Sequence, residues 1–328
     1  MKTANKSTKI IIPTLAAISL IVPLFLGNNY FYDIFIMAGV YTIIGSGMNL
    51  LLGFTGQLSM GHAAFYGFGA YITAIGMKSY GVPFWACVIL SVLFCFVTGM
   101  LLGSTSCKLS GIFLVVVTTG FNTIVNLILV NWDFTGKSFG IPGIPKIKMF
   151  GSPLTKLQYC YLILAFVFLA LFISYRIVKS KTGRAFQAMR DNPIAASSVG
   201  VNVSKYKLLV FAVSAVYAGV AGALYASNIG YISPTSFNAN VSVTIITMTV
   251  LGGLGDLAGC IVGAIVVGVL MEVLRKFGAY QLTIYGLLIV VILIFMPKGI
   301  MGAIRSIYGK LVSKLSKAPN EAAANEGR

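Results

Sequence analysis

The chain of 328 residues is 58% hydrophobic and only 9% charged, with 24 basic residues against 7 acidic ones, a formal charge of +17. An ordinary soluble domain carries roughly 45–50% apolar and 25% charged residues, so this composition excludes a soluble enzyme of usual make-up. The charges lie in blocks between apolar stretches, which excludes a nucleic-acid-binding face, and there is room for roughly ten runs long enough to cross about 30 Å of hydrocarbon as helices.

In chain order, a basic stretch with Lys2, Lys6 and Lys9 precedes an apolar run over 10–26. Pro13 and Pro23 inside the run, no small-residue cleavage site after it and the immediate start of another span predict a membrane helix in preference to a signal peptide. Further spans are expected at 31–52, 61–78, 84–103, 112–130, 157–176, 206–227, 241–255, 259–274 and 282–296. The spans at 241–255 and 259–274 are short and separated by Gly252-Gly253-Leu254-Gly255-Asp256. Two readings follow: tilted helices, for about ten spans, or a re-entrant pair, for about eight. The expected fold class is all-α, a polytopic transmembrane helical protein. It is expected to form one domain over 1–317, with a cytoplasmic loop at 177–205 and a polar, disordered cytoplasmic tail over 318–328.

Orientation follows from lysine and arginine in short loops. The segment Arg176–Lys207 carries Arg176, Lys179, Lys181, Arg184, Arg190, Lys205 and Lys207 against Asp191, and Lys298–Lys317 is basic without an acid. Both are expected on the cytoplasmic side, with both termini, as an even number of spans requires. The loop 131–156, with Lys137, Lys146, Lys148 and Lys156 against Asp133, disagrees in charge but falls outside by parity. The larger blocks, agreeing at three places, decide.

Chemistry is sparsely provided. The five cysteines form no C-x-x-C pair and there is one histidine, His62, so neither a zinc site nor a disulfide framework is expected. No G-x-x-x-x-G-K-[ST] run occurs, so any ATP use belongs to a partner. An enzyme would need a nucleophile, base or metal constellation that is not found here. An ATP-independent secondary transporter remains a different class of reading, but acids within the spans, Glu272 and Asp256, are too few for an acidic ion relay.

Two glycine-rich segments are candidates for a translocation pathway or its gate. In the first, glycines interrupt an apolar run while Gly56, Gln57, Ser59 and His62 combine a backbone break with hydrogen-bonding groups. Non-helical backbone at membrane depth survives only where protein buries it or water reaches it. The alternative is a tight turn followed by small-residue packing, with His62 a packing histidine. The second segment comprises Gly252, Gly253 and Gly255, with Asp256 either an intramembrane acid or a helix cap. Gly99 with Gly103, and Gly259 with Gly263, stand at the spacing of close helix contacts.

A third segment holds Arg184, Arg190, Asp191, Pro193, Ala195, Ala196 and Gly200. Asp191 or Asn192 suits a helix cap, Pro193 its first position and Gly200 the position after its end, predicting a helix of about two turns. Phe186, Met189, Ala196 and Val199 supply an apolar face suited to docking, or to lying on lipid headgroups.

The run Gly53-Phe54-Thr55-Gly56-Gln57-Leu58-Ser59-Met60-Gly61-His62-Ala63-Ala64-Phe65 resembles the G-x-x-G-Q-x-S-x-G-H-A-A-F signature of the membrane subunits of branched-chain amino acid ABC importers. Gly183-Arg184-Ala185-Phe186 through Arg190-Asp191, Ala195-Ala196 and Gly200 also resemble that family. So do Ser233-Pro234-Thr235-Ser236-Phe237, Val250 to Gly255, and Pro297-Lys298-Gly299-Ile300. The matches run in family order from about Asn49 to Gly302, and of the two permease types they look like the LivM type.

The resemblance implies an ABC importer permease fold for Leu, Ile, Val or related hydrophobic amino acids, or for another small solute such as urea. It implies a second permease of the LivH type completing the pore, an extracytoplasmic substrate-binding protein, and two cytoplasmic ATPases that use ATP and Mg. The chain itself is expected to bind no cofactor, metal or nucleic acid and to lie in the lipid bilayer of a bacterial or archaeal plasma (inner) membrane. The segment Pro193–Val199 then reads as the coupling helix, with Ile194 standing where the family pattern E-A-A-x-x-x-G has its acid.

Overall fold

The structure is a computed structural model that describes residues 20–304 apart from 26, 110, 150, 151, 297 and 298. The expected first span lies outside the described residues except for 20–25, which are helical. The tail at 318–328, the basic N-terminus and the basic block from Lys298 also lie outside, apart from residues 299–304.

Helix α1 (Asn29–Met48) starts where the Asn28 side chain accepts from Tyr30 N, and it runs directly into a π-helical turn, Asn49–Gly53. A non-helical connector leads to α2 (His62–Ser79), followed by α3 (Phe84–Lys108) and α4 (Ile112–Asn131). The loop 132–155 carries three two-residue strands, β1 (Ile141–Pro142), β2 (Lys148–Met149) and β3 (Ser152–Pro153). Thr155 and Gln158 then form a reciprocal capping box that starts α5 (Lys156–Lys179). After α5 come α6 (Lys181–Asp191), α7 (Pro193–Ser198) and α8 (Val203–Ile229). Strand β4 (Tyr231–Ile232) pairs antiparallel with β1, Ile141 opposite Ile232. Then follow α9 (Ala239–Gly252), α10 (Leu257–Leu274), a kinked 3-10 stretch and α11 (Gln281–Phe295), with residues 299–304 helical again.

Among the described residues, six helices are long and apolar enough to cross a membrane: Asn29–Gly53, Phe84–Cys107, Ile112–Asn131, Lys156–Lys179, Val203–Ile229 and Leu257–Gly278. The expected spans at 241–255 and 282–296 correspond to the shorter helices α9 and α11. Helix α2 is not apolar enough to rank with the six, and its position gives the reason. It is buried along most of its length against α8, so its neighbours are protein and it can carry His62, Thr73, two tyrosines (Tyr66, Tyr71) and three glycines (Gly67, Gly69, Gly76) among its apolar groups. Lipid-directed faces are instead bare hydrocarbon, as at Ile89, Leu93 and Val97 of α3, Val116 and Ile124 of α4, and Phe172 of α5.

Helix α8 is the centre of the bundle. It packs against α3, α2 and α1 through small residues: a Cβ on Gly222 would overlap the Tyr66 carbonyl oxygen of α2, and Gly99 and Gly103 of α3 lie against Ala215 and Phe211 of α8. Without water competing in the bilayer, such close backbone approach supplies the dispersion contacts that hold helices together.

The chain reverses at each connection and gathers its loops at two ends. At one end Lys156 pairs with Asp33, Lys78 donates to the Pro142 carbonyl oxygen at 2.7 Å, and β1 meets β4. At the other end the π-turn, the α9–α10 linker and α6–α7 come together.

Candidate functional site

The connector from Gly56 to Gly61 has no helical ladder, so its backbone groups need partners from elsewhere. Gly56 N and Gln57 N find the Leu52 and Leu51 carbonyl oxygens of the preceding turn, and side chains of other helices supply partners further on. Met60 N donates to Thr118 Oγ1 of α4 at 3.0 Å; Ser242 Oγ of α9 accepts from Ala63 N at 3.0 Å and donates to the Met60 carbonyl oxygen at 2.7 Å. The first turns of α2 and α9 therefore meet inside the bundle. Gln57, Ser59 and His62 are all buried, whereas Gly56 is exposed with a φ of +72°.

His62 Nε2 stands 2.5 Å from Ser214 Oγ, and that hydroxyl is 2.9 Å from the Gly47 carbonyl oxygen. A serine has one proton to give and a carbonyl can only accept, so Ser214 donates to Gly47 and His62 Nε2 carries the other proton. The imidazole thereby donates from Nε2 to Ser214, tying α2 to α8 and, through that hydroxyl, to α1. Its Nδ1, like Gln57 Oε1, is buried without a hydrogen-bond partner among the described residues.

The second glycine segment packs onto the first. Asn49 Oδ1 accepts from Gly255 N at 2.9 Å, and Asn49 Nδ2 donates to the Asp256 carbonyl oxygen at 3.1 Å and to Cys260 Sγ at 3.2 Å. Gly53 must lack a side chain, because a Cβ there would overlap Asn49 Oδ1 and stand 2.5 Å from Gly255 N. Gly252 lies against the Gly259 backbone of α10, and Gly253 has a φ of +120°, open to glycine alone at ordinary cost. Asp256 caps α10 through Ala258 N at 3.1 Å, the helix-cap alternative of the two expected for it.

Arg190, at the end of α6, joins this junction. Its guanidinium donates to the Gly53 carbonyl oxygen, and Nη1 lies 3.1 Å from the place a Cβ on Gly255 would occupy. Arg184 is exposed and, with Lys181, Lys205 and Tyr206, lines a cleft of about 530 Å³ beside α7. Asp191 is exposed as the last residue of α6, and the cap of α7 is Asn192, whose side chain accepts from Ile194 N and Ala195 N at 3.0 Å. Pro193 occupies the first position, and Gly200, with a φ of +84°, lies just beyond the C-cap Val199.

The expected apolar docking face needs correction. Phe186, Met189 and Ala196 are buried against the rest of this chain, so they cannot meet a partner. The apolar side chains that α7 and its C-cap present outward are Ile194, 77% exposed, and Val199, 79% exposed, with Ala195 beside them. Asn49, Ser214 and Ser242 were not singled out in the sequence. The signal that could have found them is a polar side chain within an apolar span, which costs several kcal/mol of order unless it is paired.

Apolar helices long enough to cross a bilayer, packed around a polar, glycine-broken junction, define a multi-pass membrane protein in class. Comparison with known proteins gives the family. Residues 30–297 match the model of the branched-chain amino acid transport system permease component. The chain is 35% identical over 294 residues to the high-affinity branched-chain amino acid transport system permease protein LivM of Salmonella typhimurium, covering 82% of this chain and 69% of that protein. It is 34% identical to LivM of Escherichia coli over the same shares, and 32% identical over 142 residues to LivH of Salmonella typhimurium, covering 42% of this chain and 44% of that protein. No solved structure matches. The chain belongs to the branched-chain amino acid transport permease family and is of the LivM type.

Proposed function

We propose that the chain is the transmembrane permease subunit of an ATP-driven importer for leucine, isoleucine, valine or related hydrophobic amino acids. It forms half of a pore with a second permease of the LivH type. Two cytoplasmic ATPases dock on it and consume ATP with Mg, while an extracytoplasmic binding protein delivers substrate. The N- and C-termini lie in the cytoplasm of a plasma-membrane protein with about ten spans.

The observation that carries this reading is α7. A six-residue helix capped by Asn192 and projecting Ile194 and Val199 outward costs exposed apolar surface, which a partner cleft would repay. The cleft lined by Lys181, Arg184 and Lys205 beside it favours an acidic rim on that partner. The segments with Gly56, Gln57, Ser59 and His62, and with Gly252, Gly253 and Gly255, are the gate: their broken backbone lets two helix ends move against each other. Arg184, Arg190, Asp191, Pro193, Ala195, Ala196 and Gly200 build the coupling element, some by facing the ATPase and others by holding α7 in place.

The test is reconstitution. The chain, purified with whatever accompanies it, goes into vesicles with the binding protein outside, and uptake of labelled leucine is measured with and without ATP inside. Uptake that requires ATP, from a preparation containing a second permease and ATPases, supports the reading. Uptake by the chain alone without ATP would sink it.

A further inference from the structure

We propose that Arg190 is the positioning residue that carries a displacement of α7 into both glycine-rich breaks of the membrane domain. This rests on the reading of α7 as the ATPase-docking helix and says how the docking helix acts.

Three observations converge on Arg190. The first is its place in the chain. It is the penultimate residue of α6, whose Ala185, Phe186 and Met189 are buried, and only Asp191 and Asn192 separate it from Pro193. Two residues give little slack, so movement of α7 is inherited by the end of α6.

The second is the group it holds. Gly53 closes the π-turn at the end of α1, where carbonyl oxygens have no partner in the helix and the helix dipole is negative. A guanidinium donating to such a carbonyl satisfies an orphan acceptor and the dipole together. A lysine ammonium would be a point charge without the planar fork that fixes direction. The neighbouring cations Lys181, Arg184 and Lys205 line the outward cleft, whereas Arg190, an exposed residue too, turns its guanidinium onto the Gly53 carbonyl oxygen.

The third is what lies behind Gly53. The π-turn is a helix geometry one residue wider than its α-helical alternative, and it is found mostly at functional sites. Asn49, its first residue, is bonded to Gly255 N and to the Asp256 carbonyl oxygen. Arg190 therefore grips the last residue of a turn whose first residue grips the α9–α10 linker. A shift of α6 reaches the ends of α1, α9 and α10 through one side chain. Discrete rearrangement of such packed ends is how small displacements become alternating access.

The experiment compares wild type with Arg190→Gln in the full complex, reconstituted with ATPases, second permease and binding protein. Both carry a reporter cysteine at exposed Leu254, in the break between α9 and α10. The expected result is that Arg190→Gln stays folded, with a thermal midpoint lowered by no more than the few degrees that roughly one bond is worth, retains the ATPases and still hydrolyses ATP, while leucine moved per ATP falls by about tenfold, the scale of one charge-assisted bond. Thiol labelling of the reporter should differ between ATP-free and ATP-vanadate states in wild type and be equal in the variant. Transport per ATP within about twofold of wild type, below what losing such a bond predicts, would overturn the proposal. So would loss of the ATPases or a larger fall in the thermal midpoint, since Arg190 would then be a structural residue only. A wild-type chain that never retains an ATPase would instead defeat the docking reading itself.

Discussion

At Gly222 the α2 and α8 backbones leave no room for a side chain, since a Cβ would overlap the Tyr66 carbonyl oxygen and approach Ala70 N to 2.8 Å. Both obstacles are backbone of a helix packed on its other sides, so neither can step aside as a flexible side chain could. Gly222→Ala is expected to destabilise the protein by about 1–3 kcal/mol, the range for overpacking. The check is the thermal midpoint in detergent beside Gly120→Ala, a helical site with nothing within 4 Å of the added methyl, which should be neutral or gain up to about 1 kcal/mol. Equal midpoints for the two variants would mean the α2–α8 crossing is looser than drawn. Glycine spacing within one helix is legible in a sequence, and Gly99 with Gly103 or Gly259 with Gly263 did point to close crossings. Gly222, and Gly69 of α2 whose Cβ would overlap the Gly219 carbonyl oxygen of α8, are not legible in that way. Their contact spans two helices, and no local pattern says which glycine meets which carbonyl.

At the scale of elements, α7 was legible down to its cap and its following glycine, because Pro193 and Gly200 punctuate the chain for reasons local to the backbone. Helix α6 was not legible as an element of its own. It is short and mostly polar, and its inward face is set by packing against α5 and α8 rather than by a long apolar period. The same cause misassigned the docking face: the three-and-seven spacing of Phe186, Met189 and Ala196 belongs to burial within the chain, leaving Ile194 and Val199 outside. Ile194→Arg should then break co-purification of the ATPases while leaving the chain folded in the membrane, because the new side chain points away from its own packing. A buried charge costs several kcal/mol, so Ala196→Arg should instead lower the amount of folded protein. Pull-down normalised to membrane-inserted protein separates the two, and ATPases retained at wild-type level on Ile194→Arg would remove α7 from the interface.

At the scale of the whole molecule, six of the expected spans were legible because an apolar run long enough to cross a bilayer is a local property, and the loops gather at two ends as the alternation of those helices requires. The charge of the loop 131–156 is the feature that argued against that arrangement. Its lysines are partly compensated where they stand: Lys137 pairs with Asp133 at 2.6 Å and Lys156 with Asp33. The loop is also folded, stitched to the far end of α8 by the β1–β4 pair and by Ile144 N donating to the Gly230 carbonyl oxygen at 3.0 Å. Lys205, by contrast, stands at the opposite end of α8, in the basic block with Arg184 and Lys181. The two ends of one helix cannot lie on one side of a bilayer that the helix crosses. In intact cells a membrane-impermeant maleimide should therefore label Lys146→Cys, and it should label Lys205→Cys only after permeabilisation. Four of the five native thiols are buried, and the fifth, Cys107, lies at the Lys205 end, so the background from outside is expected to be low. Labels exchanged between the two variants would invert the molecule, setting α7 outside the cell and out of reach of any cytoplasmic ATPase.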